Sequence, residues 1–518
     1  MDKITILWAD DEIDLLKPHI LFLQEKGYHV LSTQSGDDAL EILETNRVDI
    51  VFLDENMPGL SGLETLEVIK TNDPTLPVIM ITKSEEEHIM EDAIGSKISD
   101  YLIKPVNPNQ ILLSIKKNLN TNRLVSEKSS SKYQQEFRQI GMMLNDRLDA
   151  EEWTELYKKL VYWELELDQS KETGMDEILE MQKSEANNQF GKYVEQNYFD
   201  WLSHPEDAPV MSQNVFKNYV IPEIKKGDAS VFFILIDNLR MDQWKTLKPF
   251  ISEHFWVDKE ETYYSILPTT TQYARNAIFS GMMPSEIAKR FPDKWSNDDE
   301  DGGKNLEEQF FIEDQLKRNQ LNIKFSYNKV LNLSYGNKVL SDVPSMFNNP
   351  LNVIVYNFVD MLSHARTDTQ IIKEIAADES AYRSVVKSWF EHSPLISTLK
   401  EIAARGGKLV ITTDHGSIRV KEPIKIVGDK EVNTNLRYKQ GKTLSYNAKE
   451  VFEVKNPETA HLPKVNVSQA FVFAKGDSFF AYPNNYNHYV KYYKDTFQHG
   501  GISLEEMLLP IVVLSAKK

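Results

Sequence analysis

Short apolar runs alternate with helical patterns along the first 120 residues. The runs are ITILWA, YHVLST, DIVFLD, PVIMIT and DYLIK. Strands that alternate with helices predict a parallel sheet covered on both faces, with ligands bound at the carboxyl ends of the strands. The pattern therefore predicts a flavodoxin-like (βα)5 domain over residues 1–120.

The strand pattern stops there, and helical periodicity replaces it. Six large apolar residues follow helical spacing: Trp153, Leu156, Tyr157, Leu160, Trp163 and Leu167. Asp149 and Glu152 have the spacing of an N-terminal capping pair. We predict an all-helical connector domain over residues 121–228, with the apolar stripe in its core.

A second α/β pattern covers residues 229–518, which makes the chain an α/β multidomain protein. Its buried runs include VFFILID, NVIVYNFVD and KLVITTD, and each ends in an aspartate. Because the carboxyl ends of parallel strands meet at one edge of a sheet, we expect Asp237, Asp360 and Asp414 to lie together.

The composition is that of a folded, acidic protein. The 518 residues carry a formal charge of −19, which opposes non-specific attraction to nucleic acid or anionic lipid. Since the chain contains no cysteine, any metal must be bound by His, Asp or Glu. The start of the sequence lacks an export pattern, and no apolar run approaches the ~20 residues of a membrane span. We expect a soluble cytoplasmic protein without membrane insertion.

Chemistry-bearing residues cluster at the strand ends of the first domain. Asp10 and Asp11 follow the first strand, Asp54 the third and Lys104 the fifth. Carboxylates of this kind suit Mg²⁺, a hard cation that prefers oxygen ligands. We predict that Asp54 is the nucleophile that accepts a phosphoryl group, while Lys104 supplies a further positive charge.

These motifs resemble the response-regulator receiver family: WADDE, then DENMPGLSG, then Thr82, then DYLIKPV. The resemblance implies that Asp10, Asp11 and Asp54 hold Mg²⁺ and that Asp54 is phosphorylated. It also implies that Thr82 and Tyr101 form the switch pair and that Lys104 contacts the phosphoryl group. Lys83 departs from the family, which has a small residue there.

Three histidines accompany the aspartates of the second α/β region. His364 lies one helical turn after Asp360, His415 follows Asp414, and His499 precedes two glycines. Clustered carboxylates repel one another, so such a site favours divalent cations with mixed nitrogen and oxygen ligands. Two zinc ions would fit this ligand set.

A threonine cluster in SILPTTTQYARNAIFSGMMP leads into a helical pattern that begins near Gln272. A hydroxyl there is a candidate nucleophile, and Arg275 or Asn276 would reach the free oxygens of a phosphate.

This region, about 230 to 518, resembles the PglZ-type branch of the alkaline phosphatase superfamily. The resemblance implies that Thr271 is the catalytic nucleophile of a phosphoric ester hydrolase. It places one zinc among Asp237, Thr271, Asp414 and His415. The other zinc is held by Asp360, His364 and His499.

A basic stretch at residues 416–445 stands out in the acidic chain, with seven basic and three acidic residues. Arg437, Tyr438 and Lys439 within it would contact phosphates and stack on a base. A solvated hairpin explains the same stretch equally well.

The three domains in this order resemble response regulators linked to type IX secretion. That resemblance implies a cognate histidine kinase and a sigma-factor partner. The leading hypothesis is a phosphorylation-controlled, zinc-dependent phosphodiesterase acting on oligonucleotides, including cyclic oligoadenylates, with phosphorylation-dependent homodimerisation. The alternatives are a binding platform in which hydrolysis is incidental, and a phosphomonoesterase or phosphotransferase.

Overall fold

The structure is a computed structural model of the chain. It describes residues 4–517 except 75, 84–97, 109, 113, 116, 117, 119–132, 134, 135, 171–174, 297–304, 429–432, 465 and 467. The chain divides into two compact units, Met1–Gln134 with Gln169–Glu172 and Gln135–Asp168 with Thr173–Lys518. The predicted boundaries at 120 and 228 stay predictions. No helix in the described ranges is long and apolar enough to cross a membrane.

The first unit contains the predicted five-stranded parallel sheet. Its strands are β1 (Thr5–Ala9), β2 (His29–Thr33), β3 (Ile50–Asp54), β4 (Val78–Thr82) and β5 (Asp100–Ile103). The helices between them are α1 (Lys17–Glu25), α2 (Gly36–Thr45) and α3 (Gly62–Asn72). The sheet order is β2-β1-β3-β4-β5. Alternate residues of β1 enter opposite cores, with Ile6 and Trp8 on one face and Leu7 and Ala9 on the other, so the strand is apolar throughout.

The connector consists largely of two long helices, α4 (Ala150–Ser170) and α5 (Met175–Ser203). Asp149 Oδ1 accepts hydrogen bonds from the backbone N–H groups of Glu151 and Glu152, and Glu152 bonds back to the Asp149 N–H. This confirms the predicted cap. All six residues of the apolar stripe are buried. The described parts of both helices lie mainly in the second unit.

A six-stranded sheet organises the second unit. Its strands are β6 (Val231–Ile236), β7 (Phe255–Tyr264), β8 (Phe325–Val330), β9 (Leu351–Tyr356), β10 (Lys408–Thr412) and β18 (Leu508–Ala516). Their order in the sheet is β7-β18-β10-β6-β9-β8. The three strands that precede the aspartates, β10, β6 and β9, are parallel neighbours. Strand β18 is antiparallel to β10 and β7. The predicted shared edge for the aspartates is therefore confirmed.

Helices flank this sheet and connect its strands. They are α6 (Ile221–Lys226), α7 (Met241–Ser252), α8 (Asn276–Ser280), α9 (Pro284–Arg290), α10 (Glu308–Arg318), α11 (Leu333–Met346), α12 (Phe358–Asp368), α13 (Gln370–Ile375), α14 (Glu379–His392) and α15 (Pro394–Ala404). A π-helical turn, Thr271–Arg275, leads directly into α8, near the helix start predicted at Gln272.

Smaller sheets lie between β10 and β18 in the sequence. Their strands are β11 (Ile418–Arg419), β12 (Glu422–Lys425), β13 (Tyr438–Gly441), β14 (Val451–Val454), β15 (Ala470–Ala474), β16 (Ser478–Ala481) and β17 (Phe497–Gln498). Two short helices accompany them, α16 (Tyr486–Tyr493) and α17 (Leu504–Met507). The apolar run AFVFA forms β15, which pairs with β13 and β14 in a separate antiparallel sheet.

Candidate metal centres

The first candidate centre is an acidic pocket at the strand ends of the first unit. Asp10, Asp11 and Asp54 each offer an oxygen, and these atoms lie within 4.8 Å of one another. Lys104 Nζ is 2.9 Å from Asp10 Oδ2 and 2.9 Å from Asp54 Oδ1. Three carboxylates against one ammonium leave excess negative charge, and an all-oxygen donor set fits Mg²⁺.

Burial shapes the chemistry of Asp54. It raises the pKa of the Asp54 carboxyl to about 6, although the Lys104 hydrogen bond opposes the shift. A carboxylate that is poorly solvated gains more from a nearby cation than one in water. The geometry brings together the predicted phosphoryl acceptor, its two acidic neighbours and the lysine.

The predicted switch residues occupy the neighbouring strands. Thr82 ends β4, is buried, and donates its hydroxyl proton to Glu55. Tyr101 is half-buried in β5 and packs against the core on one face of the sheet. Lys83 Nζ lies 2.7 Å from Glu12 Oε2, and both side chains are exposed.

The second candidate centre lies at the carboxyl edge of the six-stranded sheet. Asp237 follows β6, and Asp414 and His415 come just after β10. Ligand atoms of these three buried residues lie within 4.8 Å of one another. Thr271 Oγ1 is 3.1 Å from His415 Nε2 and 3.4 Å from Asp237 Oδ1. The predicted nucleophile is therefore next to the predicted ligands.

A second group shares His415 and extends the centre. Asp360, His415 and His499 offer ligand atoms within 4.8 Å of one another. Asp360 lies in the first turn of α12, where His364 Nε2 is 3.5 Å from Asp360 Oδ2. The His364 side chain is 64% exposed, and its ring centroid is 5.9 Å from that of His499. All six predicted ligands thus lie in one region, with His364 at its outer side.

The buried environment keeps His415 and His499 neutral and makes Asp237 and Asp414 harder to ionise, whereas the pKa of Asp360 lies well below its usual range because, against burial, its hydrogen bond to His364 and the neighbouring histidines favour the carboxylate. Burial lowers the pKa of His415, and it lowers the pKa of His499 to about 3. Burial raises the pKa of Asp237 to about 8 against the opposing charge of Arg275, and it also raises the pKa of Asp414. Neutral imidazole is the form of histidine that binds metal.

The donor set fits divalent cations. It combines three carboxylates with three imidazoles, and mixed sets of this kind suit zinc. Within the described part of the chain, Asp414 Oδ1 is buried without a hydrogen-bond partner. A buried oxygen without a partner is costly unless something binds it. Asp237, Asp360, His364, Asp414, His415 and His499 would hold such ions.

Arg275 differs from its predicted role. It is fully buried, forms an ion pair with Asp237, and donates from Nε to Asp414 Oδ2 at 2.9 Å. Its Nη1 lies 3.4 Å from Glu308 Oε1. Asn276 is also buried, and its Oδ1 accepts a hydrogen bond from Asn305. The prediction that Arg275 contacts substrate is therefore corrected, because its guanidinium is engaged within the protein. The predicted substrate contact of Asn276 stays a prediction, since its bond to Asn305 uses only Oδ1.

The basic stretch is corrected as well, because its three predicted contacts are buried. Arg437 is paired with Glu506, and Lys439 Nζ donates to the Asn433 carbonyl at 2.8 Å. The Tyr438 ring packs against Tyr273 and Phe473. None of the three is placed to stack on a base or bind a phosphate.

Three residues near the centre lacked a clear signal in the sequence. Asn238 adopts φ 62° and its amide donates to Asp360 Oδ1 at 3.3 Å. Asn357 donates to Asp237 Oδ2 at 2.9 Å. Both asparagines stand just after strands, which is a usable clue to the edge of the sheet. Glu308 begins α10, and nothing in its local sequence indicates a buried partner for Arg275.

Family models match three consecutive regions. The response regulator receiver domain matches residues 6–116, and the PorX response regulator linker domain matches residues 123–202. The BREX system PglZ alkaline phosphatase-like domain matches residues 215–514, more than half of the chain. The chain belongs to the PglZ family. This PglZ protein has the domain order of PorX-like response regulators: a receiver, a helical linker and an alkaline phosphatase-like domain.

Individual relatives match the receiver. PgtA, a phosphoglycerate transport system transcriptional regulatory protein from Salmonella typhimurium, is 32% identical over 24% of this chain and 30% of its own length. Response regulator SaeR from Staphylococcus epidermidis is 30% identical over 27% of this chain and 60% of its own. A solved receiver domain from Clostridium thermocellum is 31% identical, with a TM-score of 0.22, and covers 23% of this chain and 98% of that one. The match thus covers less than two thirds of either curated relative.

Proposed function

We propose that this PglZ protein is a phosphorylation-controlled, zinc-dependent phosphodiesterase that acts on oligonucleotides, including cyclic oligoadenylates. The observation that carries the proposal is the position of Thr271. Its hydroxyl lies between an aspartate and a histidine that are suited to bind the same cation, at 3.4 Å from Asp237 Oδ1 and 3.1 Å from His415 Nε2.

The ligands divide into two sets. Asp237, Asp414 and His415 would hold one ion together with Thr271, and Asp360, His364 and His499 would hold the other. When bound, two such ions supply Lewis acidity to both the attacking and the leaving oxygen of an in-line displacement. The carboxylates and imidazoles of these residues would fix the positions of the two ions.

Thr271 Oγ1 attacks the phosphorus of the diester, and its proton passes through water to the departing ester oxygen. The new bond from Oγ1 to phosphorus forms while the bond to one ester oxygen breaks, and that oxygen leaves with the rest of the nucleotide chain. Attack by water then releases the phosphate monoester and regenerates the Thr271 hydroxyl. Asn238 and Asn357, which bond to Asp360 and Asp237, orient those carboxylates throughout.

Thr271→Val tests this assignment, with Thr270→Val as the matched control. The Thr270 hydroxyl is buried and has no hydrogen-bond partner in the described residues, so its removal leaves the contacts of the centre unchanged. Both variants are assayed with zinc and with a chelator on a simple diester, a simple monoester, and linear and cyclic oligoadenylates. Thr271→Val is expected to lose at least a thousandfold in kcat, and Thr270→Val to retain activity. Full zinc-dependent hydrolysis by Thr271→Val would refute the proposal. If the natural sequence hydrolysed the monoester faster than the diester, the activity would be that of a phosphomonoesterase instead.

In this proposal, phosphorylation of the receiver domain regulates the hydrolase activity. A cognate histidine kinase phosphorylates Asp54 in the presence of Mg²⁺, and the phosphorylated protein forms a homodimer. A sigma factor and type IX secretion are the proposed outputs. Sizing the full chain with and without beryllofluoride measures the dimer, and Asp54→Asn serves as the control. A protein that stays monomeric under both conditions would contradict this part.

One observation favours the binding-platform alternative. The Arg275 guanidinium pairs with Asp237 and Asp414 and compensates part of their negative charge. A platform of this kind would bind its protein partner whether or not zinc is present. Partner binding that is unchanged by a chelator and by Thr271→Val, with no hydrolysis by the natural sequence, would support it.

A further inference from the structure

A buried ion pair lies behind the second metal centre. Arg437 Nε is 3.1 Å from Glu506 Oε1, and Arg437 Nη2 is 2.6 Å from Glu506 Oε2. Both side chains are fully buried. Neither residue belongs to the predicted ligand set. Burying two charges is costly, and removing either partner would leave the other charge unpaired in the protein interior.

Glu506 connects two segments of the centre. Its Oε1 accepts a hydrogen bond from the Gly501 N–H at 2.9 Å, and the same oxygen is 3.5 Å from Thr269 Oγ1. Gly501 is two residues after the ligand His499, and Thr269 is two residues before the nucleophile Thr271. One carboxylate therefore contacts both the ligand segment and the nucleophile segment.

The two segments also contact each other. The Gly500 N–H donates to Thr269 Oγ1 at 2.9 Å, and that hydroxyl donates to the Gly501 carbonyl at 3.0 Å. His499 Nδ1 is 3.2 Å from the Thr269 carbonyl oxygen, which orients the imidazole. With Nδ1 engaged in this way, Nε2 faces Asp360 Oδ1 at 3.6 Å.

The glycines make this approach possible. Gly500 has φ 122°, a conformation that L side chains rarely adopt. A Cβ on Gly501 would lie 2.6 Å from the Ala474 carbonyl oxygen and 2.9 Å from Arg437 Nη2. The ligand segment therefore packs directly against β15 and the guanidinium of the pair.

We propose that Arg437 and Glu506 are positioning residues for the second metal centre. This role rests on the proposed function, in which the ion pair fixes the position of the His499 imidazole relative to Thr271. Removing the Glu506 charge would leave Arg437 buried without its bidentate partner and would loosen both segments together. Groups that orient metal ligands in this way typically change metal affinity or activity about 10- to 100-fold when they are mutated.

The adjacent Glu505 provides a matched control. It is also buried, but its carboxylate faces the connector, where Oε2 accepts a hydrogen bond from Asn187 at 3.0 Å and Oε1 lies 3.5 Å from Lys183 Nζ. Glu506→Gln and Glu505→Gln therefore remove one buried charge each from neighbouring positions. Thr269→Val is a milder second variant, because it keeps the ion pair and removes only the hydroxyl that joins the two segments.

The experiment combines hydrogen exchange with Co²⁺ binding on the full chain. Without metal, amides of the peptides containing Thr269–Thr271 and His499–Gly501 are expected to exchange about tenfold faster or more in Glu506→Gln than in Glu505→Gln. Co²⁺, competed against a chelator, is expected to bind Glu506→Gln about 10- to 100-fold more weakly, and Thr269→Val to show a smaller effect in both measurements.

Three other results would overturn the positioning role of the ion pair. If exchange in Glu506→Gln matches Glu505→Gln, the pair does not hold the segments and the inference is wrong. If exchange rises while Co²⁺ affinity is unchanged, the pair has only a structural role, which also overturns it. Failure of the natural sequence to bind Co²⁺ would refute the proposed function itself, and the positioning role with it.

Discussion

Replacing Lys439 with methionine tests whether this buried amine is a structural burden or a substrate contact. Lys439 is 1% exposed, and burial lowers the pKa of its amine from 10.5 to about 7. In the unfolded chain the amine keeps its ordinary pKa. At pH 7 the folded protein therefore forgoes roughly 4 kcal/mol, because each tenfold change in proton affinity is worth about 1.4 kcal/mol.

Methionine has a similar volume and no charge, but it loses two contacts. These are the hydrogen bond to the Asn433 carbonyl at 2.8 Å and the approach of Nζ to the Tyr482 ring at 4.9 Å. Each contributes about 1 kcal/mol, the ring contact as an N–H···π interaction of the neutral amine. We therefore expect Lys439→Met to raise the free energy of unfolding by roughly 2 kcal/mol at pH 7, and the unfolding midpoint of the second unit by roughly 2–3 °C.

The lowered pKa of Lys439 also predicts how the stability difference between the two proteins changes with pH. Between about pH 7 and 10.5 the unfolded chain binds a proton at Lys439 that the folded protein does not, so this group makes the natural protein more stable as pH rises. The advantage of the variant should shrink over this window and reach zero at roughly pH 9, where the lost contacts balance the remaining penalty.

Calorimetry of the full chain from pH 6.5 to 10 measures this difference, with the exposed Lys449→Met as the control. We also expect KM for an oligonucleotide to be unchanged, since Lys439 is not placed to contact it. A variant that is less stable at pH 7, by an amount independent of pH, would refute the reasoning, because it would mean that the amine is charged and well paired.

Three further predictions concern the two metal centres. Since burial raises the pKa of Asp237 to about 8, zinc binding at pH 7 should release about one proton, and zinc affinity should rise with pH up to about 8. Titration calorimetry in two buffers of different ionisation enthalpy measures the proton release. Zinc binding without proton release would contradict the prediction. Lys83→Ala breaks an exposed ion pair with Glu12, so the unfolding midpoint should change little. The phosphoryl group on Asp54 should hydrolyse severalfold faster, as measured by phosphate release. An unchanged lifetime of the aspartyl phosphate would exclude a role of Lys83 in shielding it from water. Glu55→Leu removes the acceptor that Thr82 uses here, so beryllofluoride should bind roughly tenfold more tightly in a fluorescence titration, and equal or weaker binding would count against the idea.

The strand-end aspartates could be predicted because the physics is local. Strands buried on both faces are apolar throughout, so β6, β9 and β10 are visible as continuous runs. Their parallel arrangement then brings the residues that follow them to one edge. Asp360 is a partial exception, since β9 ends at Tyr356 and Asp360 lies within α12. The helical spacing between Asp360 and His364 nevertheless indicated that both side chains lie on one face of a helix.

The roles of the buried arginines could not be predicted, because their partners are distant in sequence. A basic stretch is usually solvated, and nothing near Arg437 indicates that Glu506 will neutralise it. Arg275 likewise meets Asp414 only after β10 has paired beside β6. Composition and spacing identify groups that can bind a phosphate, whereas long-range packing decides which of them are already engaged.

The connector is part of the second unit through buried charges rather than only through its apolar stripe. Lys183 Nζ on α5 lies 2.7 Å from Glu164 Oε2 on α4, and Asn187 on α5 donates to Glu505. Arg383 on α14 forms an ion pair with the same Glu164. Separating these groups would leave buried charges unpaired, at about 3–5 kcal/mol for each broken pair. The connector therefore contacts the segment that carries Glu506 through buried polar groups, and these contacts resist its separation from the second unit.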